Sequence, residues 1–308
     1  MLDPETLFEV LPDEPEFDRP VLIQALDGFV DAGGGRALAR QHLLDTFENK
    51  VIARFDVDQI LDYRARRPLM IFDRDHWESY TDPELVVREL RDAAGTTFLM
   101  LDGPEPDVQW ERFVAAVQGL VERWDVRLVV GLNSIPMQVP HTRPVGMINH
   151  ATRPELLLDT PRAWFDKVPV PASVGQLLEY RLGQVGRDAI GATAQVPHYL
   201  SQTEYPAAAV ALLEATATFS GLSLPTDALR TAAAETRKSV DNQVADSPQA
   251  AGVVEALESQ YDAFMEGQGR TLLAEQGQLP TAEELGDELE QFLRDQTGHG
   301  SAGGDPRG

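Results

Sequence analysis

Short apolar runs of four to seven residues alternate with longer segments of helical periodicity over the first two-thirds of the chain. Turn-forming or polar residues bound each run, as is typical of strands in a sheet. We predict strands over residues 21–26, 51–55, 69–72, 97–101, 127–132, 145–148 and 190–196. Because strands alternate with helices, the pattern predicts an α/β fold with a mostly parallel or mixed sheet covered on both faces.

Four helices are predicted between these strands. One covers residues 35–47, and a second begins near Ser173, where the spacing to Gln176 fits a capping box. Another begins at Pro206 and ends at Gly221. The clearest covers residues 108–124, with apolar side chains at helical spacing at Trp110, Phe113, Val114, Val117, Leu120, Val121 and Trp124.

The pattern changes after residue 222, where only amphipathic helices are predicted. They begin at Thr226 or Asp227, at Ser247 with Pro248 in the first turn, and after Pro280. Residues 223–308 hold sixteen acidic and six basic side chains. We therefore predict three parts, an α/β sandwich domain over 1–222, an acidic helical extension over 223–296 and a disordered tail over 297–308.

Charge and composition restrict the classes of partner. The 308 residues carry a formal net charge of −24, which disfavours binding to nucleic acids and to anionic membrane surfaces. The sequence contains no cysteine, which excludes disulfides, thiol catalysis and cysteine-ligated metals. No apolar run approaches the ~20 residues of a membrane-spanning helix, and no signal peptide is recognisable. We expect a cytoplasmic protein with no nucleic-acid or membrane partner.

A glycine-rich turn, DAGGG, links the first predicted strand to the helix over 35–47. Such a turn exposes backbone N–H groups at a helix N-terminus and suits an anion, so Asp31, Gly33 and Gly34 are candidate ligand-binding residues. The turn matches no phosphate-binding motif, and no lysine follows it. The alternative is structural, with Asp31 capping the helix while the glycines permit a tight corner.

A second candidate is the proline-rich loop over 133–146, which follows a predicted strand. Ligands in parallel sheets bind beyond the carboxyl ends of strands, and Pro144 extends the backbone at Arg143. His141 and Arg143 could bind a carboxylate or phosphate there. The alternative is a structural loop in which both side chains bond carbonyls and an acidic neighbour.

The acidic residues Asp102, Glu105 and Asp107 lie between a strand and a helix. They could ligate a metal, but prolines and a helix start explain them equally well, and the histidines show no metal-binding spacing. We predict neither a metal nor a cofactor.

Four segments together resemble the actinobacterial form of the proteasome assembly chaperone 2 family. They are GFVDAGG (28–34), LDGPEPDVQWERF (101–113), VPHTRPVG (139–146) and VPHYLSQTEYPAAAVALLE (196–214). The resemblance spans about residues 18–220. Its pattern positions are Gly28, Asp31, Gly33, Gly103, Glu105, Pro106, Trp110, Pro140, His141, Thr142, Arg143 and Pro144.

The resemblance implies a three-layer α/β/α domain, phosphorylase- or hydrolase-like, and a homo-oligomer, with a trimer suggested by that analogy. Eukaryotic relatives help to assemble the proteasome α-ring, often by means of a C-terminal hydrophobic–Tyr–x tail. This chain ends in GGDPRG, so we do not expect that docking mode.

Two functions from different classes follow. The first is a protein-binding or assembly module, supported by the resemblance, the acidic helices and the lack of a recognisable catalytic set. The second is an enzyme or sensor for a small anionic ligand such as a nucleoside or nucleotide. The sequence does not decide whether the protein is an enzyme, and we favour the first function, the protein-binding or assembly module.

Overall fold

The computed structural model describes residues 2–12, 14–157 and 167–265. The strands are β1 (Phe8–Val10), β2 (Val21–Asp27), β3 (Asn49–Phe55), β4 (Met70–Asp73), β5 (His76–Tyr80), β6 (Val86–Arg91), β7 (Thr97–Pro104), β8 (Leu128–Met137), β9 (Met147–Ala151) and β10 (Ala189–Pro197). The helices are α1 (Gly35–Thr46), α2 (Trp110–Arg123), α3 (Val174–Gln184), α4 (Pro206–Ser220), α5 (Asp227–Ala245) and α6 (Pro248–Met265).

Eight strands form one mixed sheet in the order β1-β3-β6-β7-β2-β8-β10-β9. The central strands β7, β2, β8 and β10 are parallel to one another. The outer pairs β1–β3, β3–β6, β6–β7 and β9–β10 are antiparallel. The predicted α/β class with a mixed sheet is therefore confirmed.

Side chains of β2 alternate between two apolar clusters on the two faces of the sheet. Val21, Ile23 and Ala25 belong to the cluster that contains buried residues of α1 and α4. Leu22 and Leu26 belong to the cluster that contains buried residues of α2 and α3. Because successive side chains of a strand point to opposite faces, these helices form the outer layers of a three-layer α/β/α sandwich.

The predicted helix ends agree with the structure at several positions. The capping box of Ser173 and Gln176 is present at the start of α3. Gly221 follows α4 with a φ of 73°, in the left-handed conformation that glycine adopts readily. The N-cap position of α2 is Gln109, which makes no side-chain capping hydrogen bond, and the nearby Asp107 carboxylate accepts the backbone N–H of Asp62 at 2.8 Å.

The strand predicted over residues 69–72 exists, but it lies outside the main sheet. It forms β4, which pairs only with β5 in a separate two-stranded hairpin whose residues are all exposed. The prediction missed β1, β5 and β6. Strand β1 has only three residues, and β5 (HWESY) and β6 (VVRELR) each contain at least as many polar as apolar residues.

The two described helices after residue 222 begin where the sequence predicts. Thr226 precedes α5, and Pro248 opens α6. Leu229 and Val240 of α5 join the apolar cluster under α1 and α4. The helix predicted after Pro280 and the tail over 297–308 lie outside the described residues, and the domain boundary at 222 stays a prediction. Among the described helices, none combines the length and the apolarity needed to cross a bilayer.

Candidate functional site

Asp31 caps helix α1 from across the glycine turn. Its carboxylate accepts the backbone N–H groups of Arg36 at 2.8 Å and of Ala37 at 3.0 Å. It also accepts the hydroxyl of Ser134 on β8 at 2.7 Å. The first-turn donors of the helix, which the sequence offers to an anion, are thus bonded to a carboxylate of the chain itself.

The glycines of the turn also bond protein groups. Gly33 has a φ of 64°, and a Cβ atom there would lie 2.7 Å from Cβ of Tyr205. Its N–H donates to the carbonyl of Ser201 at 2.7 Å, and its carbonyl accepts the N–H of Tyr205 at 2.8 Å. The N–H of Gly34 donates to the carbonyl of Asp31 at 3.0 Å. This geometry supports the structural interpretation of the turn.

His141 and Arg143 connect the proline-rich loop to the last two described helices. The buried ring of His141 lies 2.7 Å from the hydroxyl of Tyr199 through Nδ1 and 3.0 Å from Asp241 of α5 through Nε2. Arg143 donates to both carboxylate oxygens of Asp262 on α6, at 2.8 and 2.6 Å. These hydrogen bonds raise the pKa of Arg143 and lower the pKa of Asp262.

The two predicted loops meet the same segment of chain, residues 199–205. Gly33 reaches it through Ser201 and Tyr205, and His141 reaches it through Tyr199. None of the five candidates Asp31, Gly33, Gly34, His141 and Arg143 lines the large cavity described next. Their role in ligand binding stays a prediction.

A row of four residues crosses the sheet beneath α3. Gln24 of β2 is opposite Gly131 of β8, Gly131 is opposite Gly191 of β10, and Gly191 is opposite His150 of β9. The two outer side chains extend over the glycines. A Cβ atom added to Gly131 would lie 3.3 Å from Gln24 Oε1, and a Cβ atom added to Gly191 would lie 2.0 Å from His150 Cε1. The two central positions themselves carry no side chain, and all four residues border the same open space beneath α3.

This space is a cavity of about 1020 Å³, here called the α3 cavity, between α3 and the sheet. It reaches towards the carboxyl ends of the parallel strands, where ligands bind in open α/β sheets. Its lining includes the apolar residues Leu26, Phe29, Val30, Ile135, Met137, Ile148, Val170, Leu177 and Tyr180. Its polar lining includes Gln24, Arg36, Glu105, Asn133, His150, Glu179 and Thr193.

Arg36 contributes a buried cation to this lining, with 6 % of its surface exposed. Nη1 donates to the carbonyl of Val30 at 3.4 Å, and Nη2 lies 3.8 Å from the Asp31 carboxylate. Nε is buried and has no hydrogen-bond partner. A guanidinium has five N–H donors, so most of the donors of Arg36 lack a close acceptor.

Two carboxylates of the cavity are bonded to protein groups. Glu105 Oε1 accepts the backbone N–H of Val174 at 2.6 Å and so satisfies a donor in the first turn of α3. Glu179 lies 2.8 Å from Nδ1 of His150. Burial acts to lower the pKa of His150, but the hydrogen bond to Glu179 and its charge outweigh this, and the net pKa is raised.

Two of the three acidic residues considered as metal ligands, Asp102 and Asp107, lie in ion pairs. Asp102 accepts Nε of Arg88 at 2.9 Å, and Asp107 lies 2.7 Å from Nη2 of Arg66. Within residues 2–12, 14–157 and 167–265, no group of three or more His, Asp or Glu side chains is arranged to hold a metal ion.

A second feature of the surface is the apolar hairpin, residues 69–80, which contains β4 and β5. Its exposed large apolar side chains are Leu69, Met70, Ile71, Phe72, Trp77 and Tyr80. The rings of Phe72 and Trp77 face each other across the strands in an edge-to-face contact with centroids 5.1 Å apart. At the turn, Arg74 has a φ of 53°. Exposed apolar patches of this kind mark interaction sites.

Comparison with known proteins places the chain in a family. A family model described as the PAC2 family matches residues 25–244. The chain belongs to the PAC2 family. The resemblance drawn from the sequence is thereby confirmed. A comparison with curated proteins gives no match.

Solved structures of similar proteins share the fold. A Mycobacterium tuberculosis protein of unknown function is 47% identical, with a TM-score of 0.80 over 85% of this chain and 90% of that chain. A Corynebacterium glutamicum protein of unknown function is 36% identical, with a TM-score of 0.81 over 85% and 98%. A Mycobacterium tuberculosis proteasome-assembly chaperone homologue is 22% identical, with a TM-score of 0.69 over 76% and 99%.

For this PAC2 family member, sequence reasoning missed the α3 cavity. A signal was present, because the strands predicted over 127–132 and 190–196 each contain a glycine, Gly131 and Gly191. Glycine inside a strand often marks a position where a ligand or another backbone approaches closely. Nothing local in the sequence indicates that the two glycines are neighbours.

Proposed function

We propose that this chain is a protein-binding assembly module that docks a partner protein through the apolar hairpin. One observation carries the proposal, namely that six large apolar side chains are exposed together on a hairpin that is separate from the main sheet. Phe72 is 56 % exposed and Trp77 is 62 % exposed. Aromatic side chains of this kind contribute most of the binding energy in many protein interfaces.

The chemistry of the hairpin indicates the kind of surface that it fits. Its two strands present aromatic and aliphatic side chains, which require an apolar groove on the partner. Its tip carries Asp73, Asp75 and Glu78 but one arginine, Arg74. We therefore propose a groove with an apolar floor and a basic rim, because opposite charges at the edge of an interface guide association.

The partner that we propose is a protein other than this chain. One structural neighbour is described as a proteasome-assembly chaperone homologue, and it matches 76% of this chain. At 22% identity, this neighbour supports the fold, and its description supplies the first candidate partner, the subunits of the proteasome.

The test is a binding experiment with purified proteasome subunits from the organism that encodes the chain. A photo-reactive residue is placed at position 77, and crosslinked products are identified by mass spectrometry. We expect a stoichiometric crosslink to one subunit, and at least about tenfold weaker binding for the double variant Phe72→Ser, Trp77→Ser, which corresponds to ~1.4 kcal/mol.

The matched control removes exposed apolar side chains elsewhere. Val185 and Val253 are 56 % and 46 % exposed, and neither belongs to the hairpin. The double variant Val185→Ser, Val253→Ser should bind like the native chain. Recovery of no stoichiometric partner except another copy of the chain would overturn the proposal and favour a homo-oligomeric scaffold, whose stoichiometry sedimentation would measure.

The small-ligand function is the second candidate, and the α3 cavity is the observation that favours it. The residues that would serve such a function differ from those expected from the sequence.

A further inference from the structure

We propose that the α3 cavity binds an amphipathic monocarboxylate, with the carboxylate head group on Arg36 and the apolar body between α3 and the sheet. This inference goes beyond the proposed assembly function, because it needs neither the apolar hairpin nor a partner protein. It rests on the shape of the cavity, on the character of its walls and on the unused hydrogen-bond donors of Arg36.

The shape is built into the sheet and the helix that covers it. Gly131 and Gly191 occupy neighbouring strands in direct register and contribute no side chains to the floor. At the edges of the floor lie Gln24 and His150, which belong to the flanking strands. The resulting volume of about 1020 Å³ is at the upper end of the range for sites that bind drug-sized molecules.

The walls match an apolar ligand body. Leu26 of β2, Ile135 of β8 and Leu177 of α3 line the cavity from the sheet and from the helix. Ile148 of β9 and Val170 add further aliphatic surface. An apolar body placed among these side chains removes apolar surface of both molecules from water, which is the principal source of affinity in such cavities.

Arg36 supplies the polar end of the site. Its guanidinium is buried, its Nε has no partner, and its closest acceptors are the carbonyl of Val30 at 3.4 Å and the Asp31 carboxylate at 3.8 Å. Buried polar groups are normally hydrogen-bonded, and Arg36 is a lining residue of the cavity, so the few hydrogen bonds of its guanidinium leave it able to bind a further acceptor. A carboxylate fits best, because its two oxygens accept parallel N–H groups of one guanidinium.

The remaining charges of the lining limit the head group to one negative charge. Glu105 and Glu179 also line the cavity, and only Glu179 has a histidine beside it, His150. A polyanion such as a nucleotide would be repelled by both carboxylates, and Arg36 is the single arginine that lines the cavity within the described part of the chain. The geometry therefore favours a monocarboxylate over the nucleotide considered from the sequence.

The test compares decanoate with its neutral isostere decanamide on the full-length protein, by calorimetry and by thermal shift. We expect decanoate to bind and raise the melting temperature, with affinity at least about tenfold above that of decanamide. ATP and inorganic phosphate should produce no shift. Arg36→Gln should abolish the preference for the acid while leaving decanamide binding in place. If the glutamine variant does not fold, Arg36→Met, which is also uncharged, provides the same comparison.

A cavity-filling variant locates the binding site. Gly131→Leu places a side chain in the cavity, since a Cβ atom there contacts only Gln24 Oε1 at 3.3 Å and the carbonyl of Ile190 at 3.9 Å. We expect this variant to fold and to lose decanoate binding. Gly119→Leu is the matched control, because a Cβ atom at position 119 meets no heavy atom within 4 Å.

Each of the following results would overturn the inference. They are failure of the native chain to bind decanoate, equal affinity for acid and amide, retention of binding by folded Gly131→Leu, and displacement of decanoate by ATP. The hairpin variant Phe72→Ser, Trp77→Ser should bind decanoate like the native chain. A loss of binding in that variant would also contradict the assignment to the α3 cavity, whereas failure of the assembly proposal would leave decanoate binding unchanged.

Discussion

Gly131 of β8 and Gly191 of β10 are direct neighbours across two parallel strands, in the centre of the sheet face that α3 covers. In most sheets this position holds two large apolar side chains that pack against the covering helix. Here both are absent, and a cavity replaces that part of the core. The floor of the proposed site is thus a property of two residues that lie 60 positions apart in the sequence.

The first prediction concerns this pair. Gly191→Ala places a methyl group 2.0 Å from His150 Cε1, so the ring must move and its bond to Glu179 is disturbed. We expect a loss of about 1 kcal/mol in the free energy of unfolding, which is typical of one hydrogen bond. Gly131→Ala is the control, since its methyl lies 3.3 Å from the end of Gln24 and 3.9 Å from the carbonyl of Ile190. Equal losses in both variants, measured by urea denaturation, would contradict this account.

The second prediction concerns pH. The folded-state pKa of His150 is raised, so its contribution to stability is fully present below the unfolded pKa of about 6.5 and is lost as pH rises through the folded value. The side chain is 45 % exposed, so we expect an effect below about 1 kcal/mol. His150→Gln should flatten the pH dependence of unfolding above pH 6, while His76→Gln on the hairpin should not. An unchanged profile in His150→Gln would refute the pairing with Glu179.

The third prediction concerns the cap of α1. Asp31→Ala removes the acceptor of two first-turn N–H groups and of the Ser134 hydroxyl. We expect a loss of about 2 kcal/mol, the upper end of measured capping effects. Asp45→Ala, which removes an exposed carboxylate from the same helix, should cost less than about 0.5 kcal/mol. Thermal unfolding checks both, and a stable Asp31→Ala would favour a ligand role for Asp31.

The fourth prediction concerns the contact between the proline-rich loop and α6. Arg143→Gln and Asp262→Asn each remove a two-bond ion pair, and a double-mutant cycle should give a coupling of about 0.5–1 kcal/mol because the pair is partly exposed. Hydrogen exchange should quicken in α6 and not in α2. The pKa of Asp262 is lowered, so this stabilisation is present above its unfolded pKa and lost as pH falls through the folded value. Additive single effects would show that the contact contributes nothing.

The fifth prediction separates docking from folding. Every residue of β4 and β5 is exposed, so Phe72→Ser with Trp77→Ser should change the free energy of unfolding by less than about 0.5 kcal/mol. Circular dichroism and urea denaturation would measure this. A larger loss would mean that the hairpin packs against the body, and its side chains would then serve stability.

Much of the secondary structure followed from local sequence patterns. The stripe over residues 110–124 gave α2, and Ser173 and Gln176 gave the start of α3. Such signals can be recognised in the sequence because a helix face or a cap depends on residues at most four positions apart. The family was recognisable from four short segments, one of which contains His141, because each segment is also a local sequence pattern.

The tertiary structure decided what the loops and glycines do. The carboxylate partner of Arg143 is Asp262, which lies 119 positions away in α6. The residues next to Arg143 in the sequence do not indicate this contact. Gly131 and Gly191 became a cavity floor only when β8 and β10 paired in one register. The sequence by itself determined most of the elements, the α/β class and the family, since these depend on neighbours along the chain. Strand order and register decided the site, because they set which distant residues share one space.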